Sequence, residues 1–266
     1  MLVEPAPQSI AYAYDGTIEG LLTAVFLAYA NHEDPQDVLA EENLQLRLGQ
    51  DVRIVETSTA LAQRVRTGIC ATAGTKAYNA CKLCALSCLP DAGTRVYRFI
   101  RYAMKQGPSC LNNIMHPAVA PVLEAKRAMA TEKEHMLQFI RFEELEGGLW
   151  FAQCNPKTNV IPFIMDFFAA RFNTQPFVIF DENHALAGIY DTRTWWLASV
   201  DSQTFREAIP AASANEARMA HAWRTFYQSV SVDARYNPEL RTHWMPKRFW
   251  KNITEMQEEL PSLVLS

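Results

Sequence analysis

The chain has 266 residues, 49% of them hydrophobic and 20% charged, with 14 Phe, 9 Tyr and 6 Trp. That content can bury a sizeable core, and it excludes a disordered, collagen-like or low-complexity protein. With 25 Lys and Arg against 29 Asp and Glu the formal charge is −4, so no global positive field draws the chain to nucleic acid and any such contact must be local.

The opening MLVEPAPQSI lacks a basic stretch followed by an apolar run, so no secretory signal is expected. No apolar run reaches the roughly 20 residues a membrane helix needs. Six cysteines are too sparse for a disulfide scaffold. The expectation is a cytoplasmic protein with no membrane partner.

Ile10, Tyr12 and Tyr14 alternate with Ala11 and Ala13, the period of a strand. Asp15-Gly16-Thr17 breaks it, and either Asp15 or Thr17 can cap the helix that Ile18, Leu21, Leu22, Val25, Phe26 and Tyr29 predict. Residues 31–50 are acidic and mixed and read as surface. Val52, Ile54 and Val55 suggest a second strand, with Ser58 or Thr59 starting another helix. From about 76 to 140 the pattern is mostly helical. Val96, Phe99, Ile100 and Ala103 share one arc, Arg95, Arg98, Arg101 and Lys105 the opposite one, and Gly107-Pro108 ends the helix. Pro117 and Pro121 bracket the start of the next.

Past 141 the pattern changes. Glu146-Gly147-Gly148 and Asp181-Glu182-Asn183-His184 are hairpin turns, Ile161 to Phe172 is a buried helix, and Trp195 to Val200 adds a strand. A final helix, Asn215 to Ser229, leads into an irregular tail. The fold class expected is α+β, with a helix-rich half at 1–140 opening on a strand. The other half, 141–266, is a mainly antiparallel sheet with an inserted helix and a basic-aromatic tail.

Cys81, Cys84 and Cys88 could begin an iron–sulfur or zinc site, since those ions favour soft sulfur donors. Their i, i+3, i+7 spacing also puts them on one helix face as small core residues, and Leu83 and Leu86 do not resemble a cluster loop. No metal and no cofactor is expected. Glu132 and His135 share a helix face as in di-iron carboxylate sites, but no second Glu-x-x-His occurs. His116 and His184 could act as acid or base, without a sequence-evident partner. No dinucleotide fingerprint, P-loop or nucleophile elbow appears.

Two basic surfaces stand out. One is the Arg95, Arg98, Arg101, Lys105 helix face. The other is the tail from Arg235 to Lys251, with five Arg or Lys against one Glu, where Arg235, Arg241, Lys247 and Arg248 interleave with Tyr236, Trp244, Phe249 and Trp250. Cations contact phosphates and aromatic faces stack on unpaired bases, so the mixture suits nucleic acid. An ordinary tail, anchored by its aromatics with its charges wet, is the other reading.

Several blocks resemble one bacterial family, the uncharacterised "probable DNA metabolism protein" family built around a domain of unknown function. They are Tyr12-Ala13-Tyr14-Asp15-Gly16-Thr17-Ile18-Glu19-Gly20, then Glu134 through Phe142. Trp223-Arg224-Thr225-Phe226-Tyr227, Arg235-Tyr236-Asn237-Pro238 and Met245-Pro246-Lys247-Arg248-Phe249-Trp250 complete the set. The resemblance implies a radical S-adenosylmethionine protein presumed to act on DNA as partner, and in some members a fused uracil-DNA glycosylase domain. With the chain ending at Ser266, that domain is not expected here. The cysteine cluster is not part of the family pattern, which favours its core reading.

The first functional expectation is a DNA metabolism or repair protein that binds DNA as accessory to that radical enzyme, through Arg95, Arg98, Arg101, Lys105, Arg235, Arg241, Trp244, Lys247, Arg248 and Trp250. The second is an enzyme of base excision or nuclease type, with Asp15, Glu134 and His135 as catalytic candidates and Glu19, Arg141 and Asn237 nearby in the motif blocks. The third is a protein-interaction scaffold without DNA contact, compatible with the acidic segment Glu33 to Glu42.

Overall fold

The computed structural model describes residues 9–45 and 47–257; most of the opening segment read for a leader lies outside them. The fold is α+β. The chain divides into two compact units, Met1–Ala130 and Thr131–Ser266.

In the first unit, β1 (Ser9–Tyr14) is the middle strand of a parallel sheet ordered β2-β1-β3, with β2 at Asp37–Ala40 and β3 at Gln50–Ile54. Ala11 through Tyr14 are all buried, as expected of a parallel strand covered on both faces. Thr17 caps α1 (Ile18–Ala30), its hydroxyl accepting from the Gly20 amide at 2.9 Å. Gly20 is required here because a Cβ would sit 2.1 Å from Asp15 Oδ1. Ser58 caps α2 (Thr59–Thr72), and α3 (Thr75–Ala85), α4 (Ala92–Gln106) and the start of α5 (Ala120–Phe139) complete the unit.

Strand β2 corrects the reading of residues 31–50 as surface. Val38 is fully buried, and its amide donates to Thr94 Oγ1 of α4 at 2.9 Å while that hydroxyl donates back to the Val38 carbonyl. The helix thereby satisfies the sheet edge. Four residues with two inward side chains are too short to register against the surrounding charges.

The second unit holds a five-stranded sheet in chain order: β4 (Glu143–Glu144), β5 (Trp150–Cys154), β6 (Phe177–Asp181), β7 (Leu186–Tyr190) and β8 (Trp195–Ser199). Helix α6 (Ile161–Arg171) carries the chain from β5 to β6, so that pair alone is parallel and the others antiparallel. One face of β6 turns Val178 and Phe180 towards Phe151, Ala187 and Phe205, the last from α7 (Ser202–Ala208). The other face turns Phe177 onto Phe142, Phe172 and Tyr190. Each fully buried side chain of this kind contributes about 1.5–3 kcal/mol. After α8 (Glu216–Val230) the tail is not irregular: Asn237 caps α9 (Pro238–Trp244), accepting from the Leu240 amide at 2.9 Å, and a 3-10 turn follows at Lys247–Asn252. Among the described residues no helix is long and apolar enough to cross a membrane.

Candidate functional site

Ion pairs with distant parts of the second unit hold the C-terminal segment in place. Glu132 of α5 is 5% exposed. It receives Arg248 Nη1 at 2.6 Å, Nη2 on its other oxygen, and the Lys157 amide at 2.7 Å. Burial alone would raise its pKa, but Arg248 and the amide outweigh that and hold it below the ordinary glutamate range. Arg248 is thus committed to an anchoring role, its guanidinium also lying 4.0 Å from the Phe249 ring centroid. Lys251 and Arg206 both pair with Glu182, and Arg141 pairs with Glu255 at 2.6 Å.

With those anchors set, the remaining cations of the tail stand apart. Arg241 lies between two rings, its guanidinium carbon 5.7 Å from the Tyr236 centroid and 5.0 Å from that of Trp250. Lys247 Nζ approaches the Trp250 ring at 5.8 Å. Such contacts are worth about 0.5–1 kcal/mol at exposed sites, and they orient the cations without neutralising them. Among the described residues Arg235, Arg241 and Lys247 make no ion pair, and Arg241 Nε is buried without a hydrogen-bond partner. Arg235 and Arg241 line a groove of about 480 Å³ between α8 and α9, together with Tyr227, Val230, Tyr236 and Trp244. Tyr236 is 70% exposed and Trp244 68%. The groove therefore presents open aromatic faces beside uncompensated positive charge.

The α4 cations are placed differently. Arg95 bonds Asp91 at 2.8 Å, Arg98 donates to the Gln36 carbonyl at 3.2 Å, and Arg101 pairs with Asp34. Of that face, Arg98 and Lys105 lack an ion pair among the described residues, and Arg98 is held by the Gln36 carbonyl.

The three catalytic candidates fall in different units of the chain. Asp15 belongs to the first unit, Glu134 and His135 to the second. Asp15 Oδ1 accepts from the Thr17 amide and hydroxyl, and Oδ2 from Thr57 at 2.8 Å. Slight burial acts against it, yet these bonds keep the carboxyl below its ordinary pKa, which disfavours it as a proton acceptor. Glu134 is exposed. His135 stacks on Phe139 and meets Phe249 edge-on, with Nδ1 4.0 Å from Glu132, and burial lowers its pKa.

Cys81 and Cys84 are buried on α3, and burial pushes the Cys84 thiol up to about 12 and Cys81 further. Metal ligation needs thiolates, so this burial opposes it. Helix α3 ends at Ala85, so exposed Cys88 does not share its face, which corrects the i, i+3, i+7 reading. Among the described residues no three His, Cys, Asp or Glu side chains group to hold a metal ion.

His184 has a partner the sequence did not disclose. Asp181, fully buried at the end of β6, meets its Nδ1 at 2.5 Å and also accepts from the Asn183 amide. The Asp-to-His spacing of three across a turn was the available signal. Glu132 and Glu182 as anchors of the tail, and Glu255 as the partner of Arg141, were missed because nothing local marks pairings over such separations.

Residues 90–255 match the family model of a domain of unknown function, DUF4130. No curated protein matches the chain.

Proposed function

The chain belongs to the family of the domain of unknown function DUF4130, and from that premise we propose that it is a DNA-binding accessory protein of DNA metabolism or repair. In this reading it serves in the cytoplasm beside a separate DNA-processing enzyme, for which the sequence resemblance implies a radical S-adenosylmethionine protein. The observation that carries the reading is the groove between α8 and α9, where Arg241 stands between Tyr236 and Trp250 with no carboxylate paired to it and Trp244 lies open beside it. Phosphates displace counterions from such cations, and bases stack on such rings. Neither step needs a metal or a catalytic residue.

Fluorescence anisotropy with labelled single-stranded and duplex DNA, titrated at several salt concentrations, tests this. Three phosphate contacts, from Arg235, Arg241 and Lys247, give a slope of log K against log salt of roughly −2 for single strands. Trp244→Ala, on an exposed side chain, should weaken single-strand binding by about 1–3 kcal/mol, the scale of one base stacked on an aromatic ring. Absence of salt-sensitive binding, or binding indifferent to both Arg235→Ala and Trp244→Ala, overturns the reading.

A further inference from the structure

A second groove in the same unit is lined by two unpaired carboxylates rather than by unpaired cations. It encloses about 580 Å³, with a floor made from Phe142, Trp150, Met219 and Trp223. The aromatic floor continues inward, because Phe142 packs on Phe168, Phe172 and Phe177. Along α8 it continues outward: Met219, Trp223, Phe226 and Val230 follow one another at helical spacing and are 58%, 42%, 55% and 55% exposed. A contiguous apolar face of this kind marks an interaction surface.

The rim indicates what occupies it. Glu144 and Glu216 line the groove, and Glu216 lies near enough to Glu143 to raise that carboxyl's pKa, adding to the effect of desolvation. Glu216 accepts from the Glu144 amide at 2.9 Å, and Glu144 from Ser213 at 3.1 Å. Among the described residues none of the three makes an ion pair. The one arginine lining the groove, Arg141, is spent on Glu255. The two unpaired carboxylates that line the groove, Glu144 and Glu216, with Glu143 close to Glu216, repel a phosphate backbone and disfavour nucleic acid as the ligand. The chain's own terminal residues 258–266 are also mismatched, carrying Glu258 and Glu259 and no Lys or Arg.

We propose that this groove docks a protein segment in which apolar side chains are flanked by Lys or Arg, supplied by the partner enzyme. The proposal rests on the accessory reading for the existence of a partner; its chemistry rests on the groove alone. The apolar side chains lie along Met219, Trp223 and Phe226, and the cations reach Glu143, Glu144 and Glu216. Such a pairing satisfies both the exposed apolar face and the clustered negative charge.

The test uses the full chain with two labelled amphipathic peptides, one of Leu and Lys and one with Glu at every Lys position. Anisotropy should show binding of the Lys peptide and not of its Glu counterpart. Met219→Glu, at an exposed position that folding does not need, should weaken the Lys peptide at least about tenfold while leaving DNA binding unchanged. Glu143→Lys with Glu216→Lys should invert the preference between the two peptides. Equal binding of both peptides, or no response to Met219→Glu, overturns the proposal. So does a chain lacking residues 258–266 that binds the Lys peptide much more tightly, which would make that segment the occupant. Concentration-dependent self-association lost in Met219→Glu would make it a second copy instead. A parent chain that binds DNA but not the Lys peptide sinks this proposal alone, and one that binds the Lys peptide but not DNA sinks the DNA reading alone.

Discussion

Helix α4 and the α8–α9 groove both carry cations, yet they offer a ligand different things. On α4, Arg95 and Arg101 each meet a carboxylate and Arg98 a backbone carbonyl. At the groove Arg241 meets only aromatic rings, and Lys247 approaches one of them, Trp250, from beside it. A carboxylate cancels the charge a phosphate would seek; a ring positions the charge and leaves it available. A basic helical stripe read from sequence is therefore not yet a basic surface, because its worth depends on which acids the fold brings to it.

The largest effect expected concerns a cation of the tail that is paired. Arg248→Ala leaves the Glu132 carboxylate buried without its counter-charge, and should lower the urea unfolding free energy by about 3 kcal/mol. Glu132→Gln combined with Arg248→Met should cost clearly less than the two single changes summed. Additivity instead would mean that the pair does not anchor the tail.

Lowering pH removes the same partner more gently. Glu132, Glu255 and Asp15 have depressed pKa values, burial being outweighed in each by hydrogen bonds to the charged form. The unfolded carboxyls therefore take up protons first as pH falls. Their contribution is complete above the unfolded values, 4.5 for Glu and 3.8 for Asp, and is lost as pH drops through the lower folded ones. His135 acts in the same direction, since burial favours its neutral ring and protonation below its ordinary 6.5 opposes folding. Thermal melts should thus show stability declining from about pH 6.5 downward and more steeply below 4.5. A flat profile through that range would contradict these assignments. Smallest of all, Arg101→Ala should cost under about 1 kcal/mol by the same urea titration, because its pair with Asp34 is largely exposed.

Much of the fold was legible locally. The Tyr12 and Tyr14 alternation, the Thr17 and Ser58 caps, the apolar arc of α4 closed by Gly107, and the hairpin at 181–184 all rest on neighbours within a few residues. Helix α9 was equally marked, by Asn237 as cap and Pro238 at its first position, although the charged and aromatic content around it also fits an irregular tail. What stayed hidden depends on distance along the chain. Arg248 and Glu132 lie 116 residues apart, and β2 reveals itself only by pairing with β1. The candidate site shows the same split. Its residue types were readable in the tail, whereas the sorting of Arg248 into an anchor and Arg241 into a free cation was not.

The most direct test of that sorting is a single-stranded DNA titration at low and moderate salt, comparing Arg235→Ala/Trp244→Ala with Arg95→Ala/Arg98→Ala/Arg101→Ala. The groove variant should lose most of its affinity and its salt dependence, while the α4 variant binds like the parent protein. Equal losses in both, or a loss confined to the α4 variant, would contradict the claim that pairing decides which cations reach the ligand.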